Sequence, residues 1–216
     1  MTHPAANTGR FIDAAIALLE RHATEVAALD QAIGDGDHLI NLQRGLRALQ
    51  AESASLDEMD WPAALNRMGR IVMTQVGGAS GSLYATLFMA MSRVLQEPQP
   101  DRSQWAHAFA HGVEAARQRG QSGEGEKTLM DVWMPVARVL AQGASEQWPE
   151  HTLHARLNET AAAGCVATRD LIATRGRASF LGERARGHID PGARTSQLLL
   201  ESITTVLAET HQGSVQ

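Results

Sequence analysis

Apolar residues recur along this chain at intervals of three and four positions, which is the spacing of helices that bury one face. The first run includes Phe11, Ile16, Leu19 and Val26 and ends near Asp30. Seven further runs follow, at 42–49, 65–72, 83–95, 105–113, 129–139, 153–171 and 199–206. The pattern therefore predicts eight helices joined by polar or glycine-rich connections.

Polar residues near the start of these runs predict where the helices begin. Asp60 is expected to cap the third helix, Ser103 the fifth, and either Thr195 or Ser196 the eighth. Pro135 is expected to kink the sixth helix or to lie near its first turn, because proline cannot donate a backbone hydrogen bond.

Composition favours a single all-α domain. Ala and Leu dominate, only 4% of residues are aromatic, and β-branched residues rarely alternate with polar ones, so helix is favoured over strand. A chain of 216 residues can bury one sizeable core, and we expect one domain over residues 1–216. Cys165 lies on an apolar helix face and is expected to pack in that core.

Charge and hydropathy argue against several classes of function. The formal net charge is -5, so no basic surface indicates binding to nucleic acid or to an anionic membrane. A single cysteine excludes an internal disulfide framework, and the N-terminal residues lack a secretion signal, so a cytoplasmic location is expected. Charged residues interrupt every apolar stretch well short of about 18 residues, which predicts no membrane span.

Three carboxylates fall close together after the first helix, at Asp30, Asp35 and Asp37. Like charges this close repel unless a cation neutralises them, and the glycines at 34 and 36 allow a tight turn that aims the side chains at one point. The spacing is not that of a Ca²⁺-binding EF-hand, and a few carboxylates are typical of Mg²⁺ sites that are completed by water and phosphate. The alternative is a solvated acidic turn that caps the next helix.

A glycine-rich turn, residues 76–82, leads directly into the fourth helix. Such a turn presents unpaired N–H groups and the positive end of the helix dipole to an anion. No lysine follows the last glycine and no strand precedes the turn, so it is neither a Walker A loop nor a dinucleotide fingerprint. The turn predicts a phosphate site beside the metal, and the alternative is close packing of helices over small residues.

Residues 174–194 lack helical periodicity and concentrate guanidinium groups in a chain without a net basic surface. Four glycines and His188 accompany Arg175, Arg177, Arg184, Arg186 and Arg194. Arginine in such a loop can grip phosphate oxygens with its planar fork of donors. The alternative is a solvated loop that forms ion pairs with the acidic surface.

Five motifs follow one another along the chain: Asp30 with Gly34-Asp35-Gly36-Asp37-His38 and Asn41; Val76-Gly77-Gly78-Ala79-Ser80-Gly81; Lys127-Thr128 with Asp131-Val132-Trp133; Gly176-Arg177-Ala178-Ser179 with Leu181-Gly182-Glu183-Arg184; and His188 with Asp190-Pro191-Gly192-Ala193. In this order, over nearly the whole chain, they resemble the nucleotide-binding L subunit of dihydroxyacetone kinase. The resemblance implies an all-α barrel of eight antiparallel helices that binds a nucleotide at one end.

The resemblance also implies roles for individual residues. Asp30, Asp35 and Asp37 are expected to hold two Mg²⁺ ions that bridge the phosphates of ADP or ATP, and Arg177 is expected to stabilise charge on the transferred group. The nucleotide contacts expected by resemblance are His38, Leu39, Ile40, Asn41, Gly78, Ala79, Ser80, Gly120, Thr128, Leu129, Arg177, Asp190, Pro191 and Gly192. The expectations that the nucleotide contains adenine and that the substrate is a ketose come only from the resemblance to the family.

The same resemblance implies protein partners. In the family the ketose is held covalently by a histidine of a separate K subunit, and ADP either stays bound and is recharged by the phosphotransferase subunit M or exchanges as free ATP. The bound-ADP version is preferred here because no K domain is attached, and a homodimer is also expected.

The chain departs from the family pattern at two places. Leu39 stands where the family usually has glycine, and Thr174-Arg175 where a lysine usually precedes the Gly-Arg pair. These departures leave open a related ketose such as erythrulose as the substrate. A regulatory protein that binds nucleotide without turnover is a further alternative.

Overall fold

The computed structural model describes residues 7–213, with side chains up to residue 210. This part of the chain is all-α and contains no β-strand, as the sequence predicts. Its helices are α1 Thr8–Arg21, α2 Ala23–Ile33, α3 His38–Ala51, α4 Ser53–Asp57, α5 Trp61–Gln75, α6 Gly78–Val94, α7 Arg102–Gly120, α8 Met130–Ser145, α9 Glu150–Ala167 and α10 Pro191–Gly213. Two 3₁₀ segments, Thr168–Asp170 and Arg177–Ala185, lie between α9 and α10.

Two of the eight predicted helices break or end at unexpected positions. The first is split into α1 and α2 at His22, whose ψ of 11° leaves the helical range, and it continues to Ile33 instead of ending near Asp30. The apolar spacing runs through both segments, so periodicity alone gives no sign of the break. The seventh ends at Ala167 and gives way to the 3₁₀ turn, whereas the sequence predicts a helix through Leu171.

The predicted cap of α5 is confirmed, because Asp60 Oδ1 accepts a hydrogen bond from Ala63 N at 2.8 Å. The predicted cap of α7 is wrong. Asp101, not Ser103, has the extended backbone of a cap, and it forms a reciprocal capping box with Gln104. Ser103 already lies in the first helical turn.

The predicted start of α10 is also wrong. The helix begins at Pro191, and Asp190 Oδ2 accepts a hydrogen bond from Ala193 N at 2.7 Å. Proline suits the first helical position because its missing N–H has no partner there and its φ is already helical. Thr195 and Ser196 therefore lie inside the helix, where both are buried.

Eight helices pack side by side as a closed ring. The neighbours around the ring are α1, α3, α5, α6, α7, α8, α9 and α10, and α10 returns to α1. The main core fills the interior of this ring and includes Leu42, Val72, Trp133 and Leu157. Cys165 is 1% exposed within it, which confirms its predicted place in the core.

Neighbours in the ring follow one another along the chain and run up and down, so alternate connections meet at the same end of the ring. The links α2–α3, α5–α6, α7–α8 and α9–α10 share one end, and they carry all five sequence motifs. Among the described residues, no helix has the length and apolar character needed to cross a bilayer.

Candidate functional site

The three predicted aspartates come together at the α2–α3 link. Each offers a carboxylate oxygen, and these oxygens lie within 4.8 Å of one another. Asp30 projects from the last turn of α2 and is 4% exposed, whereas Asp35 and Asp37 face solvent. Asp30 Oδ2 accepts a hydrogen bond from His38 N at 2.9 Å, which fixes this carboxylate to the start of α3.

The glycines between the aspartates are required by the geometry. A Cβ at Gly34 would lie 1.8 Å from Asp30 Oδ1, so any side chain there displaces the carboxylate. Gly36 has a φ of 79°, a conformation that other residues rarely adopt. The tight turn predicted from the sequence is therefore the feature that holds the three carboxylates together.

The predicted arginine reaches this cluster. Arg177 Nε lies 2.9 Å from Asp35 Oδ2, and its side chain is 70% exposed. An ion pair this exposed contributes little to stability. It does place the guanidinium at the solvent-exposed edge of the carboxylates, within reach of a phosphate group bound there.

His38 joins the aspartates to two helix N-termini. Its Nδ1 lies 3.2 Å from Ser80 Oγ in the first turn of α6, and its Nε2 lies 3.0 Å from Thr195 Oγ1 in α10. Burial lowers the pKa of the His38 imidazole, and the carboxylates of Asp30 and Asp37 oppose this shift only in part. The ring is therefore neutral at pH 7 and positions its neighbours by hydrogen bonds.

The start of α6 has the features of an anion site. Gly78 has a φ of 70°, and the described residues supply no side-chain cap to this helix. Its first N–H groups therefore lack intrahelical partners and point outward at the positive end of the helix dipole. Ser80 in this first turn contacts the His38 ring, and the His38 N–H donates to Asp30, so the start of α6 is connected to the aspartates.

The predicted stretch 38–41 divides between the site and the core. Asn41 is buried, and the Cβ of a side chain at Gly77 would lie 3.0 Å from its Oδ1. The Leu39 side chain packs with Leu18, Leu19, Val26 and Leu198, so only its backbone faces the site. Ile40 is 62% exposed at the rim.

Leu129 and the 190–192 turn form a second side of the site. A Cβ at Gly192 would lie 3.0 Å from Asp190 Oδ2 and 3.7 Å from Leu129 Cβ, and Thr195 Oγ1 donates to Gly192 O. Gly120, at the end of α7, lies against Leu83 of α6. These contacts bring Leu129 and the 190–192 turn next to the His38 side of the site.

Thr128 faces the protein rather than the mouth of the site. Its Oγ1 lies 2.9 Å from Ser122 Oγ, and its N–H donates to Asp131 Oδ2 at 2.8 Å. Burial raises the pKa of the Asp131 carboxyl, which these backbone donors partly offset. Thr128 therefore shapes the α7–α8 link.

Sequence reasoning missed two residues of the site. Arg44 donates from Nη2 to Asn41 Oδ1 and from Nε to Gln75 O, both at 2.6 Å, and so ties α3 to the glycine-rich turn. Thr195, predicted as a cap, instead contacts His38. The sequence gives no sign of the Arg44–Gln75 or His38–Thr195 contact, because these partners lie 31 and 157 positions apart in the chain.

Comparison with known proteins places this chain in a family. The family model described as the DAK2 domain matches residues 32–205. The ADP-binding subunit DhaL of PEP-dependent dihydroxyacetone kinase 1 from Listeria innocua is 41% identical over 175 residues, which cover 81% of this chain and 83% of that protein. The corresponding DhaL subunit from Escherichia coli is 30% identical over 185 residues, covering 85% of this chain and 88% of that protein.

A protein of known structure has a similar fold. The crystal structure of the dihydroxyacetone kinase from C. freundii, in complex with AMP-PNP and Mg²⁺, superposes with a TM-score of 0.71 at 20% sequence identity. The match covers 95% of this chain and 35% of that kinase, so this chain spans about a third of it. The chain therefore belongs to the DAK2 domain family, alongside the ADP-binding DhaL subunits of dihydroxyacetone kinases.

Proposed function

We propose that this protein is the nucleotide-binding subunit of a dihydroxyacetone kinase. It binds ADP and ATP with Mg²⁺ and transfers a phosphoryl group to dihydroxyacetone held on a separate subunit. One observation carries the proposal: carboxylate oxygens of Asp30, Asp35 and Asp37 lie within 4.8 Å of one another, beside the uncapped start of α6. A cation site next to an anion site is the arrangement that a metal-bound polyphosphate needs.

The donor set fits magnesium. Three carboxylates, two of them open to solvent, match a hard divalent ion that keeps water and phosphate oxygens as its other ligands. Asp30, Asp35 and Asp37 would hold it, and we propose two ions. Bound Mg²⁺ supplies neutralisation of charge on the phosphate oxygens.

The chain itself contributes positioning and charge, which is most of what phosphoryl transfer requires. The free N–H groups of α6 bind phosphate oxygens, and Arg177 stabilises negative charge on the transferred group. Neutral His38 positions Ser80 and Thr195 relative to Asp30 through hydrogen bonds. Leu129 and the 190–192 turn complete the pocket for the rest of the nucleotide.

We propose that ADP stays bound between turnovers and is recharged by the phosphotransferase subunit M. The PEP-dependent kinases in the names of the relatives from Listeria innocua and Escherichia coli support this donor, since those subunits match this chain over most of their length. The L-erythrulose kinase of Pectobacterium atrosepticum is 27% identical but is covered to only 36% of its length.

The acceptor partner is the K subunit, which presents its covalently held ketose to the end of the ring where the motifs lie. A homodimer also remains a prediction, and the mass of the purified protein in solution tests it.

The proposal is tested by a coupled phosphorylation assay with K subunit. The assay compares dihydroxyacetone with erythrulose, and ATP with phosphoenolpyruvate plus subunit M. Asp35→Ala and Asp37→Ala are expected to lower kcat by at least about a hundredfold, because each removes a metal ligand. The control is Asp13→Ala, an exposed aspartate on α1.

Wild-type protein that phosphorylates neither ketose with either donor, or Asp37→Ala protein that turns over normally, overturns the proposed function. Circular dichroism is expected to show unchanged helix content in both site variants.

A further inference from the structure

The chain contains a single lysine among its 19 Lys and Arg residues, and that lysine is buried. Lys127 is 1% exposed, whereas charged side chains are almost never fully buried unless they are paired. Its backbone has a φ of 60°, which is unfavourable for a residue with a side chain. This unfavourable backbone angle directs the ammonium into the protein, where it needs hydrogen-bond acceptors.

The ammonium joins the two ends of one long connection. Lys127 Nζ donates to the backbone oxygens of Thr168 and His188, which come from either end of the α9–α10 link. The same ends also pair directly, because Gly187 N donates to Arg169 O at 2.9 Å and Asp190 N donates to Thr168 Oγ1 at 3.0 Å. Residues 171–186 thus form a loop with a closed neck, which we call the arginine loop.

The arginine loop is packed rather than open. Ala173, Ala178 and Ala185 form a small buried cluster with Ile33, the last residue of α2. Ile33 lies three positions after the metal-site residue Asp30, so the loop is docked on the helix turn that carries the aspartate. From this base, Arg177 reaches Asp35.

Two further bonds tie the loop to the link that contains Lys127. Arg175 Nε donates to Gln121 O at 2.7 Å, and Thr174 Oγ1 donates to Glu126 Oε1 at 2.6 Å. The neck, the buried cluster and these two bonds therefore determine where Arg177 is presented.

We propose that Lys127 is a positioning residue for phosphoryl transfer: by clamping the neck of the arginine loop it holds Arg177 at the metal–phosphate site and favours binding of the nucleoside diphosphate. This inference rests on the function proposed above. A compact ammonium with three donors suits two converging carbonyl oxygens in a closed space, and the broad planar guanidinium of arginine does not. Burial lowers the pKa of Lys127, and the nearby carboxylates of Asp190, Asp170 and Asp131 oppose this shift.

If Lys127 contributed only to stability, bound nucleotide would not affect opening of the neck. A positioning role predicts that it does, because coupling between two binding events is reciprocal. If a clamped neck favours nucleotide binding, then bound nucleotide must favour the clamped neck by the same factor. Since Lys127 has the chain's one side-chain amine, the rate at which it reacts with acetic anhydride reports on opening of the neck.

The first test measures acetylation of Lys127 in the wild-type protein by mass spectrometry, with and without Mg²⁺ and ADP. A free lysine peptide serves as the reference. We expect Lys127 to react more slowly than the reference, and Mg²⁺ with ADP to slow it by at least about a further tenfold. Unchanged acetylation in protein that calorimetry shows to be saturated with ADP overturns the inference and leaves the proposed function standing. Failure of ADP to bind overturns both.

The second test uses Lys127→Met, which keeps a similar length without donors. The matched control is Arg138→Met, which removes a surface ion pair to Glu124 in the same α7–α8 region. In Lys127→Met we expect the Kd for ADP to rise at least about tenfold, because less of the nucleotide-free variant holds the loop in its clamped position. We expect no change in KM for the ketose on the K subunit. Trypsin should also cut the variant faster at Arg175, Arg177, Arg184 and Arg186.

A double variant distinguishes a positioning role of Lys127 from a general loss of stability. If Lys127 acts through Arg177, adding Arg177→Gln to Lys127→Met lowers kcat little further, because both changes remove the same interaction. Folded Lys127→Met protein with wild-type ADP affinity, kcat and trypsin resistance contradicts the inference, as do multiplicative effects in the double variant. Should Lys127→Met not fold, the acetylation experiment on the wild type decides.

Discussion

Gly34 has as large a part in the geometry of the proposed metal site as the aspartates on either side of it. Its missing side chain lets the Asp30 carboxylate fold back over the turn, since a Cβ would lie 1.8 Å from Oδ1. The backbone oxygen of Asp30 is also only 2.8 Å from that position, so moving the carboxylate alone does not make room.

Replacing this glycine tests whether the three carboxylates act as one unit. Gly34→Ala is expected to raise the Kd for Mg²⁺-ADP at least about tenfold while helix content is kept, because the turn must open and separate Asp30 from Asp35. Isothermal titration calorimetry measures the affinity. The control is Gly9→Ala in α1, where the new Cβ meets only ordinary contacts of 3.5 Å or more. Equal ADP affinity in both variants contradicts this description of the turn.

The sequence was sufficient to find the aspartates because all three fall within eight positions. It was insufficient for the contact of His38 with Thr195, whose partners are 157 positions apart and meet only when α10 closes the ring. Leu39 shows a second limit. It is a predicted nucleotide contact like its neighbours, but the helical rotation turns its side chain into the core with Leu19 and Leu198.

The helix starts show how residue type alone misleads. Ser103 and Thr195 are good capping residues by chemistry, yet α7 uses Asp101 and α10 uses Asp190. For α7 the sequence did hold the deciding signal, because Asp101 is followed three positions later by Gln104, the spacing of a capping box.

Asp190 links the start of α10 to the buried Lys127. Burial raises the pKa of its carboxyl from the ordinary 3.8 to about 7, against the opposing effects of the Ala193 N–H and the Lys127 charge. The folded state therefore holds this proton more tightly than the unfolded state does. Between about pH 4 and pH 7 the unfolded chain loses the proton first, so the stability contributed by Asp190 falls as pH rises and is constant above that interval.

Asp190→Asn removes the titration and keeps an oxygen that can cap α10. The free energy of unfolding of the wild type minus that of the variant is expected to decrease from about pH 4 to about pH 7. Urea unfolding without nucleotide, at several pH values across this interval, measures the difference. A difference that grows with pH gives the opposite sign and contradicts the raised pKa.

The ring of helices explains why five motifs spread over the chain meet at one end of the molecule. Alternate links share an end, so the aspartates, the glycine-rich turn, the Lys127 link and the arginine loop meet although the chain separates them. Apolar periodicity predicts the helices and the all-α class. It carries no information on the order of neighbours in space, which depends on packing between α1 and α10 across nearly the whole chain length.

In the proposed function, Asp30, Asp35 and Asp37 bind ADP through magnesium. The most direct measurement is calorimetric titration of ADP into the nucleotide-free protein with Mg²⁺ and with EDTA, for the wild type and for Asp30→Asn. We predict that removing Mg²⁺ weakens ADP binding by the wild type at least about tenfold, and that the variant binds weakly with or without the ion. ADP affinity that is the same in all four titrations contradicts the claim.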